Sequence, residues 1–483
     1  MSTIENVKSE KVFKYFDEIC AVPHGSGDMD RISEYCMEFA KKHSLKAVRD
    51  NANNVIIYKD ATPGYEDADT VILQGHLDMV CQKDEGVDID FESDPIQAYI
   101  DGDYIKAKGT TLGGDNGIAV AMIMSILEDN TLSHPAIEAV FTTDEEIGMI
   151  GASKLDFSLL NGKKMINIDS EDQDVLTVSC AGGSDFEMTM PLERKIKEGK
   201  LCTLIVRGLK GGHSGVEIDK GRQNANMVMA RILNFAGCDL ISINGGDKGN
   251  AIPVCSKANV LVSDKDNFVI KLTEYANIIK KEMQFREDGF EFLIEEGIEG
   301  NFEVIDTALK DKILSMLLCV PNGVVEMSAE INNLVETSLN LGILKTENNV
   351  IRAHFALRSN KTSALVFLED RLKAFAALAG FSVKTFGHYP PWEFKSDSAL
   401  QRIYRDKYKE KTGKEISVEA IHAGLECGVF ASSLKDLDCI SVGPRMFDIH
   451  TPAERLCISS VKMVFGIILE VLKELKYPLP FLI

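Results

Sequence analysis

Short β-rich runs and longer helical stretches alternate through the first third of the chain. VIIY (55–58) and VILQGHLDMV (71–80) are branched apolar runs of strand length. GIAVAMIMSILEDN (117–130) has the length and composition of a helix and is preceded by small residues. AIEAVFTTDEE (136–146) reads as a strand, MIGASKLDFSLL as a helix, and MINIDSED (165–172) as a further buried strand. Strands alternating with helices predict an α/β domain whose mostly parallel sheet is flanked by helices on both faces.

The pattern changes around Ala181-Gly182-Gly183. DFEMTMPL and LCTLIVRGL alternate apolar and polar residues, as antiparallel strands with one wet face do. A helix from about Arg222, strands near 252–263 and a helix near 268–284 follow. A second round starts near Gly289: FEFLIEEG, a helix over 306–319, VETSLNLGIL, VIRAHFALRS, a helix over 363–379, and FSVKTFG. These rounds read as two similar subunits in tandem. PPWEF (390–394) marks a return to the first grammar, with a helix near 397–412, strands ISVEAIH and CISVG, and a long last helix around 461–475. The division is residues 1–182, first part of an α/β domain; 183–388, an inserted α+β domain; and 389–483, second part of the α/β domain.

Composition narrows the function classes. The 483 residues exceed one ordinary core, and 45% hydrophobic with 26% charged residues is globular. A net charge of −21 disfavours nucleic acid and anionic membranes as partners and attracts cations. The start MSTIENVKSEKVFKYFDEIC reads as an amphipathic helix, not a signal peptide, and no apolar run reaches the roughly 20 residues of a membrane span. The 11 cysteines are scattered with no C-x-x-C, which suits reduced thiols in a cytoplasmic protein.

Potential metal ligands fall at or beyond strand ends. His76 and Asp78 close one strand at i, i+2 spacing, on one face. Asp115 lies in TTLGGDNG before a helix, Glu145 and Glu146 end a strand, Asp169 ends another, and His450 lies in DIHTP before the last helix. Open α/β sheets place their sites in this region. Clustered buried carboxylates need cations. Two histidines with several carboxylates suit two divalent metal ions, zinc first, with cobalt and manganese as competitors. A two-metal hydrolase needs one bridging carboxylate and one unliganded base for the activated water. Glu145 and Glu146 can divide ligation and proton transfer, since neighbours on extended backbone point opposite ways.

GHLDMVCQK, KGTTLGGDNG, TTDEEIGMIGA, INIDSED, GGHSG, NAIP, HAGLECG and DIHTP occur in that order. Together they resemble the aminoacyl-histidine dipeptidases (Xaa-His dipeptidase, peptidase D type). These belong to the di-zinc metallopeptidases, with carboxypeptidase and aminoacylase relatives. The likeness runs from about residue 10 to the C-terminus and is looser over 260–385. It implies that His76 and Asp169 hold one metal, Glu146 and His450 the other, and that Asp115 bridges them before a cis Asp115–Asn116 peptide. It implies that Asp78 orients His76 and that Glu145 activates a water between the metals, then protonates the leaving amine. The insertion becomes a lid, with His213 of GGHSG stabilising the oxyanion and Asn250 and Arg358 holding the substrate's C-terminal carboxylate. Read on their own, His213 is a turn histidine and Arg358 a surface ion pair. Gly424, at the opening of a helix, offers backbone to a carboxylate. Glu426 reads equally as a receptor for the substrate ammonium and as an ordinary N-terminal helix acid.

Two segments depart from the pattern: GGDKGNAIPV has less arginine than expected, and VPHGSGD contains an unusual His24-Gly25 pair. The implied function is a metal-dependent dipeptidase of unblocked dipeptides, including Xaa-His, whose partner is a small peptide. The rivals are a related di-zinc amidohydrolase (aminoacylase, tripeptidase or carboxypeptidase) and a non-catalytic peptide-binding protein on the same fold. The sequence leaves open whether the lid serves its own chain or forms a homodimer in which a partner's His213 completes the site.

Overall fold

The run Val71–His76 is buried at every residue, as are Ile137–Thr142 and Lys164–Asn167. These three strands form the middle of an eight-stranded sheet in a computed structural model that describes residues 10–476. Residues 1–9 of the expected amphipathic start lie outside the described residues, and a helix occupies Lys11–Cys20.

The strand order is Lys46–Arg49, Val55–Lys59, Ile137–Thr142, Val71–His76, Lys164–Asn167, Asp438–Ser441, Val175–Cys180, Ser417–Ile421. Val71–His76 is parallel to both of its neighbours, and Lys164–Asn167 is parallel to Asp438–Ser441. Pairings outside this centre are antiparallel where Lys46–Arg49 meets Val55–Lys59, Val55–Lys59 meets Ile137–Thr142, and Asp438–Ser441 meets Val175–Cys180. The expectation of a mostly parallel sheet is therefore corrected to a mixed one. The physical reason is clearest at the first edge. Asp50 accepts from the backbone N–H of Ala52 and Asn54, closing a short loop that permits a hairpin and no crossover.

The helix Gly114–Glu128 is buried on nearly every side. It lies close to the strand because Gly75 has no side chain: a Cβ there would sit 2.8 Å from Ala119 Cβ and 2.9 Å from Asn116 Oδ1. The helix expected over MIGASKLDFSLL is split into Ile150–Lys154 and a 3-10 turn, Phe157–Leu159. Leu155, in extended conformation, ends the first, and Asp156 caps the second by accepting from Ser158 N. A four-stranded sheet joins Ala98–Asp101, Tyr104–Ala107, Arg455–Cys457 and Met446–Phe447.

The chain divides into two compact units: the first takes the chain to Ser179, Phe394–Ala420 and Leu425 onward, the second Cys180–Glu393 and Ile421–Gly424. The second unit is built on a nine-stranded sheet. The strands of the two rounds interleave in this one sheet, Arg194–Arg207 pairing with Glu291–Ile305 and Gly182–Pro191 with Val350–Ser359. Helices Ala225–Ala236, Lys265–Met283, Thr307–Cys319 and Thr362–Ala379 bury their apolar faces in its core.

Candidate metal centre

Strand ends position most of the candidate ligands. His76 is the last residue of its strand, and Asp169 lies two residues beyond Lys164–Asn167. Glu145 and Glu146 lie past the strand that stops at Thr142, in a turn. The extended backbone expected to separate their side chains is absent there, and Asp144 just before them has φ 52°. Asp115 sits where helical geometry is interrupted at the start of Gly114–Glu128, and its peptide bond to Asn116 is cis. His450 is exposed, on a loop with φ 61°.

The two Asp115 oxygens face different groups. Oδ1 is 3.2 Å from His76 Nε2, which is also 3.4 Å from Asp169 Oδ1. Oδ2 is 3.2 Å from His450 Nε2, which is 2.9 Å from Glu146 Oε1. One donor atom from each of His76, Asp115 and Glu146 falls within 4.8 Å of the others.

Asp78 is fully buried behind His76. The ring's Nδ1 is 2.9 Å from the Asp78 carbonyl oxygen and 3.5 Å from its carboxylate, so Nε2 is turned toward Asp115. The Asp78 carboxylate accepts from Ser26 Oγ (2.8 Å) and the backbone N–H of Glu145 (2.9 Å) and Glu146 (3.2 Å). It thus ties the His76 strand end to the turn carrying both glutamates. Asn116 Nδ2 donates to Asp169 Oδ1 and to the Ile168 carbonyl. Beneath the site, Asn167 donates to Gln74, and Gln74 and Thr142 both donate to Glu426 Oε2.

Electrostatics are severe. Burial pushes Glu145, Glu146 and Asp169 up, and Glu426 to about 8. Burial also works against Asp115 and Asp78, but the imidazoles beside them hold both below the usual carboxylate range. Hydrogen bonds to Asp115 and Glu146 raise His450 to about 10. Burial would lower His76, yet Asp169, Asp115 and Asp78 outweigh it and hold the ring well above its ordinary value. Protons on two imidazoles are the available counter-charges for this acidic group. A set of imidazole and carboxylate donors at this spacing fits divalent cations, which neutralise the same charge more fully.

The second unit groups a different set. His213 pairs through the short strand Gly212–His213 with Ala251–Ile252, beside Asn250, whose carbonyl accepts from Ser214 N. His213 Nδ1 accepts from the backbone N–H of Gly215 and Val216 at 3.2 Å each. Burial and the Arg358 charge lower its pKa. Arg358 is buried on Val350–Ser359 and donates to Tyr389 Oη (2.8 Å), while its Nε has no partner among the described residues. It is not the surface ion pair its sequence alone suggests. His422, lowered to about 3 by burial and the Arg358 charge, contacts Ser338 Oγ at 2.7 Å. Gly424 lies two residues before the helix Glu426–Ser433 and does not open it. Glu426 is fully buried, and its Oε1 lacks a partner among the described residues.

Sequence reasoning did not single out Ser26, Tyr389, His422 or Glu454. The pair of glycines before Asp115 was a usable signal for Glu454, because such loops aim successive N–H groups at an anion.

Residues 72–474 match the model of peptidase family M20/M25/M40. The chain is 36% identical over 483 residues to the cytosol non-specific dipeptidase of Escherichia coli K12, covering 98% of this chain and 99% of that one. It superposes on the crystal structure of aminoacylhistidine dipeptidase from Vibrio alginolyticus with a TM-score of 0.90 and 36% identity, covering 97% of each chain. Aminopeptidase PepT from Bacillus cereus shares the fold at a TM-score of 0.60 and 16% identity, covering 96% of this chain and 98% of that one.

Proposed function

The chain belongs to peptidase family M20/M25/M40, and from that premise we propose that it is a metal-dependent dipeptidase acting on unblocked dipeptides, Xaa-His among them. The observation that carries this reading is the division of Asp115, one oxygen toward His76 and Asp169, the other toward His450 and Glu146. A carboxylate so divided is suited to bridging two ions. We assign His76 and Asp169 to one ion, His450 and Glu146 to the other, and zinc to both, since imidazole and carboxylate donors suit it.

Two divalent ions held there supply Lewis acidity, lowering the pKa of water and polarising the scissile carbonyl. Glu145 takes the proton of the attacking water and delivers it to the leaving amine. Burial raises its pKa well above the ordinary carboxylate value, which strengthens it as a base. Asp78 keeps the His76 ring and the two glutamates in register.

In the second unit, His213 is assigned to the developing oxyanion. With Nδ1 accepting from two backbone N–H groups, a neutral ring carries its proton on Nε2, as a donor. Arg358, with an unused Nε, and Asn250 are assigned to the substrate carboxylate, with backbone at Gly424. Glu426, one oxygen unpartnered, is assigned to the ammonium end. A cytoplasmic setting fits the naming of the E. coli relative and the eleven free cysteines.

The test is hydrolysis by zinc-loaded protein of a panel of free dipeptides, N-acylated amino acids and tripeptides. Free dipeptides are expected to give the highest kcat/KM, with Xaa-His members cleaved. A preference for N-acylated substrates would overturn the dipeptidase assignment.

A further inference from the structure

The loop entering the helix Gly114–Glu128 turns successive backbone N–H groups onto one side chain. Glu454 Oε2 accepts from Leu112 (2.7 Å) and Gly113 (3.3 Å), and Oε1 from Gly114 (2.8 Å) and Asp115 (3.4 Å). Glu454 is only 3% exposed, a depth at which a carboxylate needs such partners. The loop is shaped around it. Gly113 has φ 71°, and a Cβ on Gly114 would stand 3.1 Å from Glu454 Oε1.

Glu454 lies four residues after His450, while the loop it grips carries Asp115. The intervening backbone is itself fixed: Glu454 N donates to the Thr451 carbonyl (3.1 Å), Thr451 Oγ1 donates to the Asp448 carbonyl (2.6 Å), and Ala453 N donates to Thr451 Oγ1 (3.2 Å). His450 is exposed and has a left-handed backbone, so its own packing does little to place it.

We infer that Glu454 is a positioning residue of the metal centre: by clamping the Asp115 loop to the His450 turn, it sets the spacing of the donors those two residues offer. The inference rests on the metallopeptidase reading. Glutamine would present an NH2 group to N–H donors, and aspartate would stop one methylene short. Either change leaves every proposed ligand in place and disturbs the spacing alone.

A control comes from the other end of the same helix. Lys59 Nζ is buried and donates to the carbonyls of Ile126 (3.0 Å), Leu127 (2.9 Å) and Asp129 (2.7 Å). Lys59→Met therefore destabilises the helix without touching the metal centre.

The experiment titrates metal-free full-length protein with Co2+ and reads affinity together with the visible absorption spectrum, alongside thermal melts. Wild type is expected to take up two ions. E454Q and E454D are expected to melt cooperatively, to bind at least one ion about tenfold more weakly, and to show an altered spectrum. Lys59→Met should lower the melting temperature and leave affinity and spectrum at wild-type values. Glu454 variants that match wild type in affinity and spectrum would overturn the inference. Equal weakening by Lys59→Met would also overturn it, by assigning the effect to general destabilisation. Failure of both Glu454 variants to fold would overturn it too, leaving a role in the fold alone. Wild type that binds no metal would overturn the underlying reading, and the inference with it.

Discussion

Glu145→Gln separates proton transfer from metal binding. The ligand atoms brought together are those of His76, Asp115, Glu146, Asp169 and His450, so the substitution removes no donor from that set. Metal content should stay near two ions per chain. A general base contributes roughly 10²–10⁴-fold in rate, or about 3–5 kcal/mol at 1.36 kcal/mol per decade, and kcat should fall by that amount. Stability of the metal-free protein should move the other way. Burial raises the Glu145 pKa in the folded state, with Asp169, Glu426 and Glu146 adding to it against His76. The folded protein then holds a proton that the unfolded chain releases above the ordinary carboxylate value. Stability is full below that value and falls as pH climbs toward the raised one. Glutamine has no proton to lose there, so metal-free E145Q should melt at a higher temperature than wild type at pH 7–8. Steady-state kinetics, metal analysis and melts of chelator-treated protein measure the three effects. Activity within a few-fold of wild type, at unchanged metal content, would refute the assignment of the base.

Asp115→Ala should lose metal along with activity, because it removes the carboxylate shared by both imidazoles; retention of both ions, seen by metal analysis, would refute bridging. Metal uptake near pH 7 should release protons, since His450 is raised to about 10 and His76 well above its ordinary value, and affinity should climb as pH rises toward those values. Calorimetry in buffers of different ionisation enthalpy measures this release, and uptake without it would contradict the charge assignment. Arg358→Met should raise KM for dipeptides by roughly 10- to 150-fold, the loss of a charged hydrogen bond of about 1.5–3 kcal/mol, and should barely affect dipeptide amides. Equal loss on both substrates would place Arg358 elsewhere.

The site's strands were legible because they are short, largely apolar, branched runs that stop at chemistry: VILQGH, IEAVFT and KMIN are buried throughout. The direction of the outer strands was not, because it depends on how far each loop travels; the capped turn at Asp50 is local and polar and looks like any surface loop. Short strands such as Tyr104–Ala107 and Arg455–Cys457 are too brief for periodicity to register. The family resemblance supplied the roles of His213 and Arg358, which isolated residues would not. Glu454 escaped notice because an acid before a helix is commonplace, and its partners lie 339–342 residues away.

The charges explain why the cluster suits function better than folding. Protons on His76 and His450 can hold Asp115 and Asp78 ionised, yet Glu145, Glu146, Asp169 and Glu426 are all pushed toward neutrality by burial. A hydrophobic core would gain nothing from such a group, and removing any one partner would strand the others. Divalent cations held by these residues would reverse the balance, since they would supply the positive charge that the imidazole protons otherwise provide and favour the ionised carboxylates. Glu426 stands apart from the proposed ligands: Thr142 and Gln74 donate to one of its oxygens, which favours its ionised form against the burial that raises it to about 8.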